Sequence, residues 1–249
     1  MSRFLLGKVA LVTGGSRGIG AATALALADQ GADVAISYVA AQDQANRLVA
    51  ALQAKGVRAA AFKADQGDIA QTQQLVESVA ASFGGLNVYV SNAGISFAGR
   101  VDASPTSDAE LNRMYAVNLH GVVAGIRTAA RVIRDHGRII VVSSGVALRT
   151  GSAGLADYTA VKSALVGFSR GAARDLAARA ITVNVVLPGF TDTDMVAPFK
   201  EQLSGMIETI ALRRLARPEE VAAGIVFLAS PAASYVTGTT LNIDGGLNA

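Results

Sequence analysis

"LVTGGSRGIGAA", residues 11–22, runs from a short β-branched stretch through a glycine-rich turn into an alanine-rich one. Taken alone it is a strand ending in a turn, which is common. Gly14, Gly18 and Gly20, however, stand at the spacing G-x-x-x-G-x-G, and a helix beginning here offers free N–H groups and a partial positive charge at its N-terminus. Gly14 permits the tight turn. The missing side chains of Gly18 and Gly20 let a ligand approach the backbone and let the helix pack on the sheet. Strand, turn and helix together point to a dinucleotide pyrophosphate.

The rest of the chain supplies the context. Short apolar runs at "VALVT", "DVAIS", "RAAAF", "NVYVS", "RIIVVSS", "ITVNVV" and "TTLNI" make seven candidate strands, most of them separated by stretches long enough for a crossover helix. Several lack clean alternation, as strands buried on both faces must, which favours a doubly wound α/β fold with a parallel sheet and helices on both faces. Such sheets bind ligands beyond the carboxyl ends of their strands. Those ends carry "TGGSRG", "SYVA", "ADQGD", "SNAG", "SSG", "PGFTDTD" and "DGG".

Composition narrows the function classes. With 249 residues, 51% of them hydrophobic, and no Pro/Ser-rich linker or charge run, residues 1–249 read as a single domain. The basic excess is only three and is scattered, which argues against nucleic acid. The densest basic group, Arg127, Arg131 and Arg134, has the spacing of one helix face, solvated or at a subunit contact. No cysteine is present, which excludes disulfide and thiolate chemistry and fits the cytoplasm. "MSRFLLGKVALV" reads as a first strand rather than a signal peptide, because Gly7 and Lys8 interrupt it. No apolar run reaches the ~18 residues of a membrane span. His120 and His136 are isolated and suggest no metal site.

Chemistry is suggested by "VVSSGVALRTGSAGLADYTAVKSALVGF", residues 141–168. Tyr158 and Lys162 are four apart in a predicted helix and so share a face, and the serine pair Ser143 and Ser144 ends the strand before them. At this point the chain resembles the short-chain dehydrogenase/reductase family over essentially its whole length. The motifs that carry the resemblance are "TGGSRGIG", "SNAG" in place of N-N-A-G, "VNLHG", "SSG", "YTAVK", "PGFTDTDM" and "LNIDGG".

The resemblance implies a Rossmann-type sheet of seven strands, a nicotinamide cofactor, hydride exchange between a carbinol and a carbonyl, and a homotetramer. It assigns a catalytic tetrad to Asn118, Ser144, Tyr158 and Lys162. Tyr158 is the proton donor, Ser144 a hydrogen-bond donor to the carbonyl oxygen, and Lys162 the cation that lowers the tyrosine pKa and holds the ribose. Asn118 supports a proton relay. The frequent serine-to-tyrosine interval of 13 residues would land on Gly145, which has no side chain, so Ser144 at 14 is assigned, with Ser143 and then Ser152 as alternatives.

Cofactor binding is likewise implied for Gly14, Ser16, Arg17, Gly18, Ile19 and Gly20 in the turn, and for Asp65, Asn92, Ala93, Gly94, Tyr158 and Lys162. Pro188, Gly189 and Thr193 complete the set. Arg17 and Ser37, with no acid near the second strand end, point to NADP(H) over NAD(H). A substrate cover spans about 190–216, with Met195, Phe199, Leu203, Met206 and Ile207 on an amphipathic pattern.

Three functions stay open: a reversible NADPH-dependent reductase of ketones or aldehydes, a 3-oxoacyl-acyl-carrier-protein reductase, and a nucleotide-binding regulator of the same fold. Reductases of the carrier-protein type commonly carry a basic residue before the "HGRI" strand and another after the catalytic helix. Here Asp135 takes the first place, while Arg179 keeps the second with Arg134 nearby.

Overall fold

The computed structural model describes residues 3–102, 108–196 and 204–249. Seven strands form one sheet in the order β3-β2-β1-β4-β5-β6-β7. They are β1 (Val9–Val12), β2 (Asp33–Tyr38), β3 (Ala59–Lys63), β4 (Leu86–Ser91), β5 (Ile133–Val142), β6 (Thr182–Pro188) and β7 (Thr240–Ile243), and every pairing is parallel. β4 and β6 are buried at every residue, which explains their apolar runs without alternation.

Helices cover both faces. α1 (Gly18–Asp29) and α2 (Gln42–Ala54) bury Leu27, Leu48 and Leu52 in one core. α3 (Ile69–Phe83) buries Leu75, Val76 and Val79 in the other. α4 (Asp108–Tyr115) leads through a π-helical turn at Ala116–His120 into α5 (Gly121–Val132). α6 (Ala156–Asp175) joins α3 and α5 on the second face, and after the short α7 (Ser204–Ile207), α8 (Pro218–Ala229) joins α1 and α2 on the first. The strand order reverses between β1 and β4, which opens a crevice beyond their carboxyl ends.

Two local readings change. Arg127 and Arg131 lie on α5, but Ile133 turns extended at φ −69°, ψ 140°, so Arg134 falls in β5 and its guanidinium donates to the Gly84 carbonyl. The fifth strand therefore starts at Ile133 rather than Arg138, with a register irregularity against β4. His120 and His136 are both exposed. No helix among the described residues is long and apolar enough to cross a membrane.

Candidate active site

The glycine turn after β1 is built from both sides of the crevice. Thr13 Oγ1 accepts from the Asn92 and Ala93 N–H groups at 3.0 Å each, and Asn92 Nδ2 donates to the carbonyls of Thr13 (2.9 Å) and Gly14 (3.2 Å). A β-carbon on Gly20 would stand 2.4 Å from the Gly14 carbonyl oxygen and 2.6 Å from Asn92 Nδ2, so only glycine fits there. Gly14 and Gly18 both have positive φ, 61° and 54°, the region L side chains avoid. α1 then starts at Gly18 with no side-chain cap and no acid in its first turn. Its open N–H groups beside Ser16, Arg17 and Ile19 suit a pyrophosphate by donor set and by charge.

Ser37 proves to be a brace. It is 4% exposed, and its Oγ accepts from the Gly14 N–H at 3.1 Å. The half-buried residue at the end of β2 is its neighbour Tyr38, because successive strand residues face opposite ways. Arg17 turns toward the segment after β6, where Nη1 meets Asp194 Oδ2 at 3.1 Å. Asp65 is engaged as well, its Oδ1 accepting from the Gly67 N–H and from Arg113, both at 2.8 Å. The Arg113 contact dominates in holding this carboxyl below its ordinary pKa.

Ser144, Tyr158, Lys162 and Asn118 converge at the ends of β4 and β5. α6 carries Tyr158 and Lys162 on one face, with Lys162 Nζ 5.5 Å from the centre of the tyrosine ring and 3.5 Å from the Val142 carbonyl. The Ser144 side chain lies near enough to the phenol to lower its pKa, and its Oγ accepts from the Val146 N–H at 3.4 Å. Ser143, by contrast, is buried and donates its hydroxyl to the Lys162 carbonyl at 2.9 Å, which tethers α6 to the strand end. Ser152 is exposed in the loop. Asn118, on the π-helical turn, is fully buried, and its amide clamps Ile95 at both ends: Nδ2 donates to the carbonyl (2.8 Å) and Oδ1 accepts from the N–H (2.9 Å). A β-carbon on Gly94 would lie 3.2 Å from Asn118 Oδ1 and 3.6 Å from Lys162 Nζ, so this loop closes over both residues.

The electrostatics differ from expectation at one point. A lysine-lowered tyrosine pKa is expected, yet burial pushes the Tyr158 phenol up to about 12, and the neighbouring Ser144 side chain draws it back only in part. Burial also pulls the Lys162 ammonium down to about 8. Desolvation disfavours the charged form of each. At neutral pH the tyrosine is protonated and the lysine largely charged.

Pro188 ends β6, and Gly189 packs against the last turn, where its β-carbon would stand 2.7 Å from Asp244 Cα. The Thr193 methyl lies against Gly18, 3.2 Å from a β-carbon placed there. The base of the expected cover is stitched shut: the Ala216 N–H donates to Phe190 (2.9 Å) and the Asp192 N–H to Ala216 (2.8 Å). Met195 is exposed. Phe199, Leu203 and the side chain of Met206 lie outside the described residues.

Residues not singled out in the sequence also matter: Thr13, Gln66, Arg113 and Asp194. Gln66 Nε2 donates to the carbonyls of Ala93 (2.7 Å) and Val117 (2.9 Å). It thereby joins the loop after β4 to the turn that carries Asn118. Both Thr13 and Gln66 sit inside the strand-end motifs already quoted, so proximity to those motifs was the available signal.

A Rossmann-type sheet with a glycine turn at its switch point and a tyrosine–lysine pair on a facing helix defines a nicotinamide-dependent oxidoreductase. The family described as enoyl-(acyl carrier protein) reductase matches residues 14–248. A 3-oxoacyl-acyl-carrier-protein reductase of Staphylococcus aureus is 37% identical over 242 residues, covering 96% of this chain and 98% of its own. Two solved structures each superpose with a TM-score of 0.95 and cover 99% of this chain and 100% of their own. They are a short-chain dehydrogenase from Burkholderia cenocepacia in complex with NADP, at 43% identity, and a blue fluorescent protein from a metagenomic library in complex with NADPH, at 44%. The chain belongs to the short-chain dehydrogenase/reductase family, whose members carry out nicotinamide-dependent carbonyl reduction.

Proposed function

We propose that this enzyme reduces a small ketone or aldehyde reversibly with NADPH. The observation that carries the reading is the Tyr158–Lys162 pair, 5.5 Å from ring centre to Nζ, with the Ser144 side chain beside the phenol. Held at the glycine turn of residues 14–20 and beside Lys162, a reduced nicotinamide would provide the hydride that the carbonyl carbon takes up. Tyr158, protonated at neutral pH, donates its proton to the carbonyl oxygen. Ser144 donates a hydrogen bond to that oxygen as negative charge builds there. The Lys162 ammonium offsets the phenolate left behind, and Asn118 fixes the Gly94–Ile95 loop beside it. Tyr158→Phe is expected to keep the fold and cofactor binding while lowering kcat by about 100-fold or more. Lys162→Ala should in addition weaken cofactor binding, read by quenching or enhancement of NADPH fluorescence. Retention of most activity in Tyr158→Phe would overturn the mechanism. Tight NADPH binding with no turnover on any activated ketone would favour a regulator.

NADPH is favoured because Arg17 is the one cation in the turn and no acid stands between Ser37 and Gln42 at the end of β2. A guanidinium suits a phosphate, and a carboxylate there would repel it. The expected preference is at least about tenfold in kcat/KM, equivalent to ~1.4 kcal/mol. Because Ser37 is buried, the informative swap is Tyr38→Asp, which should move preference toward NADH; a wild type that already favours NADH would sink the assignment.

The carrier-protein reading draws on relatives of that name, such as the S. aureus enzyme. Against it stands Arg179. Its Nε meets Asp135 Oδ1 at 2.8 Å, Nη1 donates to the Ala130 carbonyl at 2.6 Å, and Nη2 donates to the Ile133 carbonyl. The cation left for an acidic carrier is thus tied into its own surface by the acid that replaces its companion.

A further inference from the structure

We infer that Asp194 competes with the cofactor's 2′-phosphate for Arg17, so that a phosphate-bearing nucleotide unlatches the segment after β6 while one without it leaves the latch closed. This rests on the NADPH preference proposed above. The Arg17–Asp194 contact, 3.1 Å from Nη1 to Oδ2, joins residues 177 apart in sequence. It spans the phosphate turn and the stretch that leads into the expected substrate cover. The latch sits just beyond an anchored point, since Asp192 and Ala216 are backbone-bonded to each other. Thr193 lies against Gly18, and the Val196 N–H donates to the Thr193 carbonyl at 3.0 Å, which shapes the turn that presents Asp194.

Arg17 has no cationic neighbour in residues 13–20 or 37–41 to share the load. A phosphate dianion held by Arg17 must take the guanidinium from Asp194, and it then leaves that carboxylate facing a like charge. Both side chains are about two-thirds exposed, 64% and 67%, so the pair is screened and exchangeable rather than a fixed strut. Asp194 thus acts as a specificity-determining residue by repulsion, opposing the ligand that Arg17 attracts.

The test compares 2′,5′-ADP with 5′-AMP, which lacks the 2′-phosphate, by titration calorimetry on wild type, Asp194→Asn, Arg17→Ala and the double variant. Asp194→Asn is expected to tighten 2′,5′-ADP by about two- to fivefold, the size of one exposed ion pair, with no change for 5′-AMP. The gain should shrink at high salt and vanish in the Arg17→Ala background. If Asp194→Asn leaves 2′,5′-ADP unchanged, or tightens both ligands equally, while Arg17→Ala weakens 2′,5′-ADP, the competition is refuted and the NADPH reading stands. If Arg17→Ala leaves 2′,5′-ADP unchanged, the NADPH reading itself fails.

Discussion

Lys162 is 5% exposed, and its burial lowers its pKa from 10.5 to about 8. Between those values the unfolded chain holds a proton that the folded protein has shed, so stability rises with pH through this window. Tyr158 has the opposite sign. Above pH 10 the unfolded phenol ionises while the folded one stays protonated to about 12, and stability falls. Urea midpoints of the cofactor-free protein between pH 7 and 10 should therefore climb in the wild type and stay flatter in Lys162→Met, the gap amounting to on the order of 3 kcal/mol. Equal slopes would show that the lysine is solvated. That Tyr158 and Lys162 share one face of a helix was legible because i, i+4 spacing dictates it. The interval to Tyr158 favoured Ser144 over Ser143, but that Ser143 turns inward onto the Lys162 carbonyl is a matter of packing that spacing does not show. The inward turn of Ser37 onto the Gly14 N–H was hidden for the same reason. The partners of Arg17, Arg113 and Arg179 were invisible, lying 177, 48 and 44 residues away.

At the scale of elements, α5 fits closely against β4. A β-carbon on Gly125 would stand 2.2 Å from the hydroxyl of Tyr89, which is fully buried and has no room to retreat. Gly125→Ala gains up to about 1 kcal/mol in helix propensity but overpacks a closed core, which typically costs about 1–3 kcal/mol. A lowered Tm is expected, with most of the loss recovered in Gly125→Ala/Tyr89→Phe, where the clashing oxygen is gone. No recovery in the double variant would locate the strain elsewhere. The seven strands themselves could be read from the sequence because buried parallel strands advertise themselves as unbroken apolar runs. The π-helical turn at Ala116–His120 could not: no residue pattern marks it, and the contact its Asn118 makes with Ile95 is a tertiary one.

Across the whole molecule the two halves of the sheet differ in what they present, β1 to β3 the glycine turn and Asp65, β4 to β6 the loops beside Tyr158 and Lys162. The surface beyond α6 bears on the substrate. With Arg179 tied to Asp135, free small ketones should be turned over at least as efficiently as a carrier-bound 3-oxoacyl substrate, judged by kcat/KM on both. A far higher value for the carrier substrate that falls with added salt would signal charge steering and reverse the ranking. The strand order has a further outcome during synthesis. β1 is covered on one side as soon as β2 emerges, but its other edge must wait for β4, from Val12 to Leu86. At about 5–20 residues per second that wait is roughly 4–15 s. For that interval the nascent chain exposes an unpaired apolar edge at its future centre, the condition under which strands pair with the wrong neighbour, so the ribosome-bound stage is the most aggregation-prone of this protein's life.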